Sequence, residues 1–85
     1  IDMPLSTIGG RDYYTNAVSQ SIDENYVNVP ANTKAIYFPT ADDYDIKFEN
    51  GVEIELSPTA GQMTNIIPLQ IKVHDATERT IHYLF

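Results

Sequence analysis

Asp42, Asp43 and Asp45 stand within four positions of one another, and hard carboxylate oxygens so closely spaced are the ligand type that binds Ca²⁺. The cluster lacks the glycine and the distal Glu of a calcium loop, and Asp is a common turn residue, so its expected role is a solvated turn entering a strand. Glu53 and Glu55 would share one strand face and could imitate a carboxylate pair for acid–base work. They alternate with apolar residues, which assigns them to the wet face of a half-buried strand. His74 and His82 are the only histidines. They fall on different predicted strands without a third ligand at metal spacing, so no metal site is expected. Serines are present, but no nucleophile elbow and no phosphate-cradling glycine loop accompanies them. Tyr13, Tyr14, Tyr26, Tyr37, Tyr44 and Tyr83 combine a large apolar ring with a polar tip, which suits core packing, interfaces or sugar stacking. The sequence therefore assigns no catalytic, cofactor-binding or metal residue, and an enzyme is not expected.

The elements that would hold these residues read as strands. From residue 17 onward, strand signals recur every ~8–12 residues between turn residues, the pattern of a sandwich or barrel. Residues 18–29 read as one irregular strand with Ile22, Val27 and Val29 inward, broken by Pro30-Ala31-Asn32. Thr33–Phe38 follows and is stopped by Pro39. Tyr44, Ile46 and Phe48 alternate with polar residues, as do Val52, Ile54 and Leu56, and Asn50-Gly51 lies between the two runs. A two-residue loop would set Phe48 and Ile46 beside Glu53 and Glu55. A three-residue loop pairs 48 with 52, 46 with 54 and 44 with 56, and puts all six apolar side chains on one face. The second register is predicted, with Gly51 in the left-handed position of a bulge. Residues 57–64 read as a loop. Ile67, Leu69, Ile71 and Val73 alternate in a strand on which Pro68 must stand at the start or on an edge. Residues 75–79 form a polar turn, and Thr80–Phe85 closes the chain with either Ile81 and Tyr83 or His82 and Leu84 inward. Residues 1–16, with Pro4, Gly9 and Gly10 and no sustained period, read as an extended N-terminal arm on a single β domain over 17–85.

Composition narrows the function classes. The chain is near the lower size limit for an independent core, and with no cysteine it has neither disulfides nor thiolate metal sites. Five Lys and Arg against twelve Asp and Glu give a formal net charge of −7, which disfavours nucleic acid and anionic membranes as partners. No apolar run approaches the ~20 residues that span a bilayer. The sequence begins at Ile1 without an initiator Met, which predicts further residues upstream.

Lys34-Ala35-Ile36-Tyr37-Phe38, Asp43-Tyr44-Asp45-Ile46, Asn50-Gly51, Pro68-Leu69-Gln70-Ile71, and Ile81 with Leu84 follow one another in an order and at intervals that resemble a family of small bacteriophage head-spike base or capsid decoration proteins. One departure is Asp75-Ala76-Thr77, where the family tends to carry Gly-Thr-Thr before its last strand. The resemblance covers residues 17–85. It implies a small antiparallel β-sandwich or barrel that forms a homo-oligomer, a pentamer or trimer, on the outer capsid surface of a virion. The implied partners are the major capsid protein and a fibre protein, with no cofactor. A carbohydrate- or receptor-binding β-module is the alternative, resting on the tyrosines and the acidic loop Asp42–Asp45. A small hydrolase built on Glu53, Glu55 and the histidines is the third and weakest reading.

Overall fold

The computed structural model describes residues 14–85. Eight strands form without a helix among them: β1 (Ala17–Ile22), β2 (Val27–Asn28), β3 (Ala35–Phe38), β4 (Tyr44–Lys47), β5 (Glu53–Leu56), β6 (Gln62–Thr64), β7 (Gln70–Val73) and β8 (Arg79–Leu84). They make two four-stranded antiparallel sheets, ordered β1-β8-β3-β6 and β2-β7-β4-β5. Only β4 and β5 are joined as a hairpin within one sheet; every other described link crosses between sheets. That order is the jelly-roll form of the β-sandwich.

The two inner faces supply the core. Ile22, Ile36, Phe38, Tyr44, Ile46, Ile71, Val73, Ile81 and Tyr83 are buried together. In register, Tyr44 lies opposite Val73 and Ile46 opposite Ile71, while Ile36 pairs with Tyr83. Each large side chain so buried contributes roughly 1.5–3 kcal/mol relative to exposure. The two buried tyrosines keep their hydroxyls bonded. Tyr44 donates to the Thr40 carbonyl at 3.1 Å, and Tyr83 donates to Gln20 Oε1 at 2.5 Å. Burial pushes the Tyr83 phenol up to about 12.

The β4–β5 hairpin takes the three-residue register. Tyr44 pairs with Leu56 and Ile46 with Ile54. The Phe48 N–H donates to the Val52 carbonyl at 2.9 Å, the Gly51 N–H donates to the Phe48 carbonyl at 2.9 Å, and Gly51 has φ +88°. A side chain there would meet no neighbour, so glycine is favoured by its backbone angle alone. The six apolar residues share a face, but not equally. Tyr44 and Ile46 are buried, whereas Val52 and Ile54 stay about half exposed because β5 is the edge of its sheet.

Three expectations need correction. The single strand over 18–29 is two strands in different sheets, broken where the Asn25 N–H donates to Asp23 Oδ1 at 2.9 Å. The loop over 57–64 contains β6, a three-residue edge strand paired with β3. The strand over 67–73 is regular only from Gln70, leaving Pro68 before its start and Leu69 exposed. In the last strand Ile81 and Tyr83 face inward, and His82 outward. The arm read over 1–16 lies, through residue 13, outside the described residues. Thr15 and Asn16 extend the β1–β8 ladder: Thr15 N–H donates to the Phe85 carbonyl at 2.7 Å and Phe85 N–H to the Asn16 carbonyl at 2.9 Å.

Candidate functional site

The acidic cluster does not converge. Asp42 accepts from the Asp43 N–H at 2.7 Å and pairs with Arg79 Nε at 2.8 Å. The backbone N–H of Asp43, helped by Arg79, holds the Asp42 carboxyl below the usual carboxylate value. Asp43 accepts from the Ser57 hydroxyl at 2.7 Å. Asp45 stands apart, on the outer face of β4, between Lys72 Nζ at 3.0 Å and His74 Nδ1 at 3.0 Å. Three neighbouring carboxylates thus serve three different partners. Among the described residues, no group of three or more His, Cys, Asp or Glu gathers as metal ligands would.

Asp45 belongs to a polar network on the outer face of β2-β7-β4-β5. Tyr26 donates its hydroxyl to Glu53 at 2.6 Å, and the ammoniums of Lys47 and Lys72 lie 5.3 and 5.6 Å from its ring centroid. Burial, reinforced by Glu53, raises the Tyr26 phenol above its ordinary value. Burial alone would raise the Asp45 carboxyl, but hydrogen bonds from Lys72 and His74 outweigh it and hold the group low. In return Asp45 raises the His74 imidazole above 6.5. On the His74 side, the stabilisation is complete below 6.5 and is lost as pH rises through the raised folded value. On the Asp45 side, it is present above 3.8 and is lost as pH falls through the lowered folded value. The pair is therefore strongest between those two reference values. Proton NMR should show His74 titrating above 6.5, and Asp45→Asn should return it toward 6.5; an unchanged titration would mean that the pair does not form in solution.

His82 lies on the other sheet, hydrogen-bonded through Nδ1 to Ser19 Oγ at 2.8 Å, with its ring 5.9 Å from that of Tyr37. Glu53 and Glu55 are exposed on the outer face of β5. None of these groups faces an enclosed cavity, and each histidine stands with a different set of neighbours.

The feature that the residue types did not announce is the difference between the two ends of the sandwich. Successive strands run in opposite directions, so alternate links emerge at the same end. The links after β1, β3 and β7 bring Asp23, Glu24, Asp42, Asp43, Asp75 and Glu78 to one end, half of the twelve acidic residues. The links after β2, β4 and β6 meet at the other end, and among the described residues these links carry only Lys34 and Glu49 as charges.

This second end holds an open groove of about 720 Å³ whose lining includes Val29, Phe48, Val52, Ile67, Pro68 and Leu69. Backbone bonds fix its rim: Val29 N–H to Leu69 O at 3.0 Å, Leu69 N–H to Lys47 O at 2.9 Å, and Lys34 N–H to Leu84 O at 2.7 Å. Asn32 turns the rim with φ +68°, a backbone that Asn tolerates, and Thr33 Oγ1 donates to the Pro30 carbonyl at 2.7 Å. Around the groove and along the β5 edge, Val52, Ile54, Ile66 and Leu69 are 46–48% exposed, four of the five large apolar residues left on the described surface. These apolar side chains stand at the end of the sandwich where the links carry the fewest charges. No family model, no curated protein and no solved structure compared with the chain matches it.

Proposed function

We propose that the protein is a non-enzymatic structural subunit of a phage-type virion, a head-decoration or spike-base protein that self-associates on the outer capsid surface. The observation that carries this reading is the polarity of the jelly roll: an apolar, nearly uncharged end opposite an acidic one. Copies with a net charge of −7 repel one another except where charge is absent, so the groove end is the surface on which they can meet. The acidic end then faces solvent. Jelly rolls serve viral capsids, and they also serve lectins, so the fold permits this reading without dictating it. The partners are a second copy and a capsid surface, with a fibre protein above.

The experiment is to look for the chain in purified particles of the virus that encodes it, by peptide mass spectrometry, and to locate it with gold-labelled antibody. Label on the outer head surface is expected. Particles free of the chain would overturn the proposal.

The row Ser19, His82 and Tyr37 across the outer face of β1-β8-β3 favours a second reading, a carbohydrate- or receptor-binding module, because it joins an aromatic ring to hydrogen-bonding groups. Glycan binding lost on Tyr37→Ala would transfer the argument to it.

A further inference from the structure

From the turn at the tip of the β4–β5 hairpin, we infer that Asn50-Gly51 is a self-modifying site: the Gly51 backbone nitrogen closes on the Asn50 amide, ammonia leaves, and the product turns the lip of the groove acidic. The effect of that charge on assembly rests on the self-association proposed above; the chemistry at Asn50 does not.

Three observations lead there. The first is the neighbour. Asparagines stand at 16, 25, 28, 32, 50 and 65, and only Asn50 is followed by glycine. The others precede Ala, Tyr, Val, Thr and Ile, whose Cβ crowds the backbone nitrogen as it approaches the amide. The second is space. Asn50 and Gly51 are exposed, and no atom lies within 4 Å of the place a Gly51 Cβ would take, so a ring can close there without displacing a neighbour. The third is polarisation. The Val52 N–H donates to Asn50 Oδ1 at 3.2 Å. As the Gly51 nitrogen adds to Cγ, negative charge gathers on Oδ1, and a donor already aimed at that atom stabilises it. Other asparagine carbonyls are engaged differently. Asn28 Oδ1 is held across the strands by Gln70 Nε2 at 3.0 Å, and Asn16 Oδ1 accepts at 3.0 Å from the Ala17 N–H, the group that would have to attack. One restraint opposes the reaction. The Gly51 N–H is donated to the Phe48 carbonyl at 2.9 Å, so the turn must open first. At an exposed hairpin tip on an edge strand such an opening costs little.

The step needs only water. The Gly51 nitrogen gives its proton to solvent and bonds to Asn50 Cγ, while the Cγ–Nδ2 bond breaks and the nitrogen leaves as ammonia. Water then opens the succinimide at either carbonyl. One product is aspartate; the other is isoaspartate, in which the main chain runs through the side-chain methylene. Both place a carboxylate beside Glu49 on the groove lip. Lys34 and Glu49 balance one another in the links at this end, and the new charge leaves those links net negative. Copies that meet through these ends then repel one another. Assembly covers the turn and preserves Asn50, so the change marks chains that wait unassembled.

The test ages the full chain in warm neutral buffer and cuts it with trypsin. Fragment 48–72 holds both Asn50 and Asn65 and is sequenced by mass spectrometry. Exchange of amide for carboxyl at Asn50, in aspartyl and isoaspartyl forms, is expected while Asn65 stays intact. Asn50→Gln should leave the fragment unchanged. An Asn50 that persists, that changes no faster than Asn65, or that yields no isoaspartate would overturn the site. The aged chain and Asn50→Asp should both associate roughly tenfold or more weakly than the fresh chain, since like charges brought together across an interface oppose it. Unaltered association in both would overturn the effect on assembly. A fresh chain that is already a monomer, with Asn50 converting as expected, removes the self-association and supports the modification.

Discussion

Phe38→Ala is expected to cost about 3–5 kcal/mol of folding free energy, the range for emptying a large aromatic site in a core. Phe38 is 1% exposed, its ring centroid is 4.7 Å from that of Tyr44, and its strand runs between β8 and β6. The ring thus joins the inner face of one sheet to that of the other. Small domains have ~5–15 kcal/mol of stability in total, and one of this size belongs near the lower part of that range. The variant should therefore sit close to its unfolding midpoint at room temperature. With a urea slope of ~1–3 kcal/mol/M, the midpoint should fall by at least about 1 M, followed by far-UV circular dichroism. Val18→Ala is the control: Val18 is 46% exposed at the β1 edge, and surface changes of this kind stay within about ±0.5 kcal/mol. A loss below ~1 kcal/mol for Phe38→Ala would mean that the two sheets do not close on this ring.

Leu69→Asp acts on the assembly instead of the fold. Leu69 is 46% exposed on the groove rim, and its described backbone bonds, to Val29 and Lys47, do not involve the side chain. In the free molecule the new carboxylate is solvated, so folding should change little. In an assembly it would be buried against apolar surface, at a penalty of several kcal/mol per ion. Each ~1.4 kcal/mol is a tenfold change in affinity, so self-association should weaken by at least ~100-fold. Val52→Asp, at the opposite lip of the same groove, should act in the same way. Analytical ultracentrifugation of both variants checks this. Unaltered association in both, with unaltered circular dichroism, would show that the groove end is not where copies meet.

What the sequence made legible depended on how far apart the cooperating residues stand. The β4–β5 hairpin could be read completely because strict alternation, Asn50-Gly51 and the placement of Glu53 and Glu55 admit one register that keeps the apolar side chains together. β6 could not, since Gln62-Met63-Thr64 has one apolar residue and lies at a sheet edge, where burial imposes no period. The break between β1 and β2 was hidden because Ile22, Val27 and Val29 all face the core, although they hang from different sheets and adjoining links. Strand order was out of reach. The pairing of β1 with β8 joins residues some sixty positions apart, and it is decided by packing the two sheets and not by any local pattern.

The candidate surface failed to show for a related reason. Its residues come from three separate links, around 30, 50 and 67, and none of the three forms a motif. Two signals were present. Residues 56–71 contain no charge, and acidic pairs recur in the links after β1, β3 and β7 while the links after β2 and β6 have none. Alternate links share an end only when the strands are counted correctly. Merging β1 with β2 and missing β6 removed the parity that would have placed the acid at one end and the apolar residues at the other.

The central proposal, that this acidic jelly roll assembles through its nearly uncharged end, is tested most directly by the solution mass of the chain. Light scattering after size exclusion, at several concentrations, should give a discrete small oligomer, a trimer or pentamer, of the 9.6 kDa chain. A mass of 9.6 kDa that holds across the whole concentration range would contradict the account.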